Sequence, residues 1–184
     1  MTIIDELHVN FLEVIEEISQ ENISLRNTAT NNFRKSLLLS AASFFEQEVI
    51  EVLKAKIRDW GGNRAELNEL MRVKVIERQY HTLFNWKGRN ANSFFKLFGP
   101  EFAEFMVSQI KGDDALDDSI AAFIEVGRER NRLVHSNFGS YTLEKTFDEI
   151  FALYSKGKMF VDGIPEFFNK FENRNVDLES EAVD

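Results

Sequence analysis

The chain has 184 residues, a formal net charge of −9 and no cysteine, with 43% apolar residues and 18 Phe against 9 Gly and 2 Pro. This is enough apolar material for one self-sufficient core, and the absence of Cys excludes disulfides, thiolate zinc sites and Cys nucleophiles, in keeping with a reducing cytoplasm. The acidic start Met1-Thr2-Ile3-Ile4-Asp5-Glu6 lacks the pattern of a signal peptide, and no stretch approaches the roughly 18 uncharged apolar residues of a membrane span.

The charge is unevenly spread. Residues 1–25 carry six acids and no Lys or Arg, and residues 172–184 carry five acids and one Arg, whereas residues 54–89 carry nine basic and four acidic residues. A negative total is therefore compatible with a locally positive face, and local patches are what attract phosphate. Ordinary solvated helix faces would give the same counts.

Residues 1–25 read as an acidic amphipathic helix, with Ile4, Leu7, Phe11, Val14 and Ile18 on one stripe. The polar stretch Asn22–Asn32 reads as a loop, with Thr30 or Asn31 as the cap of the next helix. From Phe33 to Trp60, apolar residues recur at three- and four-residue steps until Gly61-Gly62. Such a helix would be roughly 40 Å long and is the expected spine of a bundle; Ala41-Ala42-Ser43 is small enough for another helix to approach closely. Ala65 to about Arg78 reads as a basic helix facing inward through Leu67, Leu70, Met71 and Val75. Tyr80–Asn92 is irregular. Ser93–Gly99 is a short aromatic segment whose Phe94, Phe95 and Phe98 read as core, and Pro100 suits the first turn of a helix over Glu101–Ile110.

After the break Lys111–Asp114, a helix begins at Asp117 or Asp118, with acids in its first turn where the helix dipole favours them, and ends at Ser136-Asn137-Phe138-Gly139-Ser140. A further helix, capped by Thr142, carries Leu143, Phe147, Ile150, Phe151 and Tyr154. The chain then turns after Gly157, and Pro165 opens a short helix with Phe167, Phe168 and Phe171. Residues 172–184 read as an acidic disordered tail. The fold class is all-α: a single-domain bundle of about five to seven helices, its body spanning residues 30–171.

The chemistry-bearing stretch is Arg128-Glu129-Arg130-Asn131-Arg132-Leu133-Val134-His135-Ser136-Asn137, which holds one of only three His in the chain. At about 100° per residue, Asn131 and His135 share a face with Arg128 and Arg132, whereas Arg130 and His135 diverge by roughly 140°. In a regular helix Arg130 shares its stripe with Phe123, Val126 and Val134. Arg130 and His135 then converge only if the helix end unwinds or two copies face each other. A bland alternative is a His that caps the helix C-terminus and an Arg paired with Glu125 or Glu129. His8 and His81 read as bystanders.

Arg130-Asn131-x-x-x-His135 resembles the R-x4–6-H signature of HEPN-domain ribonucleases, and the order of features from about Phe33 to Phe171 is most similar to the RiboL-PSP-HEPN subgroup. The resemblance implies a homodimer through the motif helix, with two motifs forming one composite site that cleaves RNA without metal or cofactor. It leaves 2′,3′-cyclic phosphate and 5′-hydroxyl ends and spares DNA. By resemblance, His135 does acid–base work, Arg130 holds the phosphate and Asn131 supports them, with Arg128, Arg132 and Asn137 as RNA contacts. The family's setting is toxin–antitoxin and antiviral defence in prokaryotes, which implies an antitoxin or sensor protein as partner. The rival expectations are a non-catalytic module of the same family that binds RNA, nucleotide or protein, and a helical adaptor with no nucleic-acid role. No Gly-rich phosphate loop, H-E-x-x-H or G-x-S-x-G motif is present, and a metal enzyme is not expected, because no carboxylate is paired with a His at ligand spacing.

Overall fold

The computed structural model describes residues 1–62, 64–76 and 79–181, with side chains to residue 174 at the C-terminal end. Among these residues there are eight α-helices and no strand: α1 (Ile3–Glu17), α2 (Ile23–Gly61), α3 (Ala65–Met71), α4 (Tyr80–Leu83), α5 (Asn92–Lys96), α6 (Pro100–Lys111), α7 (Asp114–His135) and α8 (Phe147–Glu181), with a π-helical turn at Arg72–Ile76 after α3. The all-α expectation holds, with one helix more than the upper end of the expected range. Among the described residues no helix is long and apolar enough to cross a membrane.

Helices α2, α7 and α8 form the centre of the bundle. Their packing is aromatic: Phe45 of α2 lies 5.4 Å from Phe123 of α7 and 5.5 Å from Tyr154 of α8, and Phe123 lies 5.2 Å from Phe160, ring centre to ring centre. Ala41 and Ala42 are buried in the same layer and Ser43 is exposed. Phe94 and Phe95 are each 1% exposed and Phe98 packs beside them, so the short aromatic segment is core. Helix α1 lies across α2 and α8. Its Thr2 hydroxyl meets the Tyr154 hydroxyl at 2.7 Å, Phe11 stacks on Phe33, and His8 stacks on Phe151 and Phe147, leaving His8 a packing role.

Several expectations are corrected by the packing. In α1, Ile15 is buried and Val14 is exposed, because the face meeting the bundle runs through Ile4, His8, Phe11 and Ile15. Helix α2 begins at Ile23, where a loop was expected. Its cap is Asn22, whose side chain accepts from the Leu25 amide, and the Thr28 and Thr30 hydroxyls turn back onto carbonyls four residues earlier. Ile23 and Leu25 are exposed, so this end gains little from burial. It is helical because extending an existing helix is far cheaper than nucleating a new one. At 39 residues, α2 is about 58 Å long.

In α3, Leu67 and Leu70 are exposed, as is Val75 beyond it; Met71 is half-buried and Ile76 takes the buried place. The π-helical turn at Arg72 breaks the 3.6-residue period, so no single stripe joins Leu67 to Val75. Helix α7 starts three residues earlier than the earlier of its two expected starts, with the Asp113 side chain accepting from the Leu116 amide at 3.0 Å.

Helix α8 runs unbroken from Phe147 through Gly157 and Pro165 to Glu181, where a turn, a second helix and a disordered tail were expected; residues 182–184 lie outside the described residues. Ile150, Tyr154, Val161, Ile164 and Phe168 are all buried on one side, and that continuous face outweighs the hydrogen bond that Pro165 cannot make. Gly157 is required for contact rather than for a turn: a Cβ there would stand 3.0 Å from the Phe123 backbone of α7. At the other end, Glu172 receives Lys56 at 2.8 Å and the Trp60 indole at 2.8 Å, which ties the first part of the expected tail to α2.

The cap of α8 is Thr146, not Thr142. The Thr146 hydroxyl accepts from the Glu149 amide at 3.2 Å, and the Glu149 carboxylate accepts from the Thr146 amide at 2.7 Å, a reciprocal capping box. Both interactions hold the Glu149 carboxyl below its ordinary pKa. Thr146→Ala is expected to cost about 1 kcal/mol and to lower Tm by about 2–4 °C for a domain of this size, whereas Thr142→Ala is expected to leave Tm unchanged. Thermal denaturation of the two variants checks both.

Candidate active site

The motif occupies the last two turns of α7, which stays helical to His135 with Ser136 as its C-cap. Its inward residues anchor it: Val126, Glu129 and Leu133 are buried. The turn after the helix is held by Lys35 of α2, only 1% exposed, which donates to the Phe138 carbonyl at 2.6 Å and lies 4.9 Å from the centre of the Phe138 ring. A buried ammonium needs such acceptors to offset its desolvation, and here the pairing fixes where the end of the motif points.

Arg130, Asn131 and His135 line one cleft of about 370 Å³ within a single chain. Arg130 and His135, expected to diverge on a regular helix, thus border the same cleft of one chain. The helix is intact; the long Arg130 side chain reaches round it to donate to the Asn131 side-chain oxygen at 3.1 Å, on the side where His135 also faces the cleft. The rest of its lining comes from elements remote in sequence: Glu46 of α2, Tyr80 and His81 of α4, and Trp86 just beyond α4, together with Phe45 and Phe123. Burial pushes the Tyr80 phenol well above its ordinary pKa, with the Glu46 carboxylate adding to this and Arg130 opposing it. The phenol is therefore a neutral donor across the working range of pH.

Trp86 is seated against Gly127 of α7 and donates from its indole nitrogen to the His81 carbonyl at 2.8 Å. Sequence reading missed Glu46, Tyr80, His81 and Trp86 as site residues. No spacing rule links positions 46, 80–86 and 127–135; His81, expected to be a bystander, borders the cleft.

The three arginines differ in their partners. Arg128 is ion-paired with Glu125, which also takes Lys145 at 3.0 Å, and Arg132 donates to the buried Glu129 at 2.7 Å. Arg130 has no carboxylate within ion-pairing distance among the described residues. The bland arrangement, an Arg held by Glu125 or Glu129, thus describes Arg128 and Arg132 but not Arg130. Likewise, His135 makes no hydrogen bond among the described residues and is exposed at the helix end.

A second, more open groove of about 910 Å³ joins the cleft at Trp86, Asn131 and His135 and is lined by Lys87, Arg128 and Arg132. This bears out the expectation that Arg128, Asn131, Arg132 and His135 share a face. Asn137 does not join them: its side-chain oxygen accepts from the Gly139 amide at 3.0 Å, and its carbonyl accepts from the Tyr141 amide at 2.8 Å, so it is used in forming the turn. Among the described residues no group of three or more His, Asp or Glu is placed to hold a metal ion.

The arrangement supplies a fixed cation, an imidazole open to solvent and a basic approach groove. A guanidinium with free donors suits phosphate oxygens, and imidazole can take or give a proton near neutral pH. Comparison with known families gives a match to the sequence model described as RiboL-PSP-HEPN over residues 6–170. No curated protein and no solved structure matches the chain.

Proposed function

Because the chain belongs to the RiboL-PSP-HEPN family, whose HEPN domains often act as ribonucleases or bind nucleotides in defence systems, we propose that it is a metal-independent endoribonuclease. The observation that carries this reading is the cleft that Arg130, with no carboxylate partner among the described residues, lines together with Asn131 and His135. Arg130 holds the scissile phosphate, Asn131 fixes the guanidinium, and His135 moves a proton. The ribose 2′-oxygen attacks phosphorus and the bond to the 5′-oxygen breaks, leaving a 2′,3′-cyclic phosphate and a 5′-hydroxyl. DNA lacks the attacking hydroxyl. The Lys87–Arg128–Arg132 groove carries the RNA backbone towards the cleft, an attraction that salt weakens.

Val134 and Phe138 are apolar and about 45% and 44% exposed at the end of α7, which supports a homodimer through the motif helix and brings two clefts close together. The setting we propose is prokaryotic conflict, with an antitoxin or sensor protein restraining the enzyme.

The test is cleavage of end-labelled RNA by purified protein in EDTA, beside His135→Ala and a DNA control. The expected outcome is cyclic-phosphate ends from the wild type only and a loss of about 10²–10⁴-fold in the variant. RNA binding without cleavage would favour a non-catalytic binding module, and equal cleavage by wild type and variant would move the site elsewhere.

A further inference from the structure

The cleft beside the motif holds groups that a phosphate does not need. Phosphate calls for donors and positive charge, yet much of this lining is aromatic, and it includes a carboxylate. We infer that the cleft receives the base next to the cleaved phosphate and selects guanine, with Trp86 stacking on its face and Glu46 holding its Watson–Crick edge; this rests on the ribonuclease reading above.

Trp86 borders both the cleft and the basic groove, so an RNA whose backbone follows Lys87, Arg128 and Arg132 brings its bases past the indole. The ring is fixed by its hydrogen bond to the His81 carbonyl, by its contact with Gly127 and by Tyr80, Phe84 and Phe123 around it. It is nevertheless only half-buried. A basic track beside a rigid, partly open aromatic suits single-stranded RNA, since every base has a face to stack.

Stacking does not choose between bases; Glu46 does. It comes from the middle of α2, is half-buried, and has no hydrogen bond or ion pair among the described residues. A partly buried carboxylate without a partner is disfavoured, and it repels phosphate. An edge rich in donors satisfies it. Guanine presents two adjacent donors, N1–H and the 2-amino group, which match the two oxygens of a carboxylate. Adenine, cytosine and uracil each offer one donor position on that edge. Next to its donors guanine carries an acceptor, O6, and the Tyr80 phenol, a neutral donor, lines the same cleft. The base occupies the cleft of one chain whether one motif or two hold the phosphate, and Glu46 has no proton to carry.

The test maps the cut sites of the full chain on an RNA containing every dinucleotide. It then measures kcat/KM on oligonucleotides with guanine, inosine or adenine at the preferred position. The expected result is guanine at one fixed side of the cut, favoured over adenine by about 10- to 100-fold. Inosine, which lacks the 2-amino group, is expected to fall about tenfold below guanine. Glu46→Gln keeps the size of the side chain and is expected to bring the guanine-to-adenine ratio down to within about threefold of unity. Trp86→Leu is expected to weaken cleavage at every base by about tenfold or more while the ratio stays.

No base preference, a preference for another base, or inosine cut as fast as guanine would overturn the inference and leave the ribonuclease reading intact. So would a Glu46→Gln that slows cleavage at all bases alike with the ratio unchanged, the mark of a proton acceptor or of a structural role. If the wild type cuts no RNA, calorimetry with guanosine and adenosine monophosphates decides. Selective guanosine binding that Glu46→Gln abolishes would keep the guanine site and overturn the ribonuclease reading; equal or absent binding would overturn both.

Discussion

Arg130→Ala is expected to lower kcat/KM for RNA by about 10²- to 10³-fold, the usual cost of removing one preorganised donor from a developing anionic charge, whereas Arg128→Ala and Arg132→Ala are expected to cost less than about tenfold. The difference arises from what each guanidinium already holds. Arg128 and Arg132 are engaged by Glu125 and Glu129 one turn earlier in the same helix, so part of their charge is neutralised before RNA arrives. Among the described residues Arg130 is held only by the neutral Asn131 side chain, and it keeps donors for a phosphate. Arg130→Lys is expected to recover only part of the rate, because an ammonium keeps the charge but not the planar pair of donors. Steady-state kinetics across a salt series check the ranking. A shallower salt dependence with kcat nearly unchanged is the signature expected of the two groove arginines. A loss for Arg128→Ala as deep as that for Arg130→Ala would show that the groove, not the cleft, holds the reacting phosphate.

Gly127→Ala is expected to destabilise the protein and to disable the cleft, although replacing Gly by Ala within a helix ordinarily gains about 1 kcal/mol. An added methyl group would stand 2.1 Å from the edge of the Trp86 ring, well inside contact distance. The ring cannot simply move aside: its nitrogen is bonded to the His81 carbonyl, and Tyr80, Phe84 and Phe123 pack round it at 5.1–5.7 Å between ring centres. Overpacking against a pinned ring costs about 3 kcal/mol, the upper end of the usual range, which exceeds the helix gain by about 2 kcal/mol, so Tm is expected to fall by about 4–8 °C. Activity should fall further than stability, because Trp86 and His81 line the cleft with Arg130. Pairing the change with Trp86→Leu should recover part of the lost Tm, a coupling that only neighbours show. A rise in Tm on Gly127→Ala alone would mean that the Trp86–Gly127 contact does not exist in solution.

The same close approaches explain which parts of the molecule could be read without coordinates. The all-α class, the helices α1, α6 and α7 and the aromatic core at Phe94 and Phe95 arise from local periodicity, because a helix that buries one face must repeat every three to four residues. The motif was equally legible, since Arg130, Asn131 and His135 lie within six consecutive residues on one helix. Periodicity failed where a neighbouring element overrode local preference. Gly157 and Pro165 look like helix breakers, yet α8 passes through both, one glycine serving the contact with Phe123 and the proline sitting beside a continuous buried face. Leu67, Leu70 and Val75 look like a stripe, yet a π-helical turn puts them out of phase.

What the sequence determined by itself was the alphabet of the motif: a guanidinium, an amide and an imidazole on the last turns of a helix. What only the tertiary structure decided was their company. That Arg130 borders the same cleft as His135 depends on its side chain reaching Asn131, and Glu46, Tyr80, His81 and Trp86 line that cleft because α2 and the α4 region pack against α7. Spacing along a chain reports contacts within an element; a cleft built between elements is set by packing, and packing is a property of the whole core.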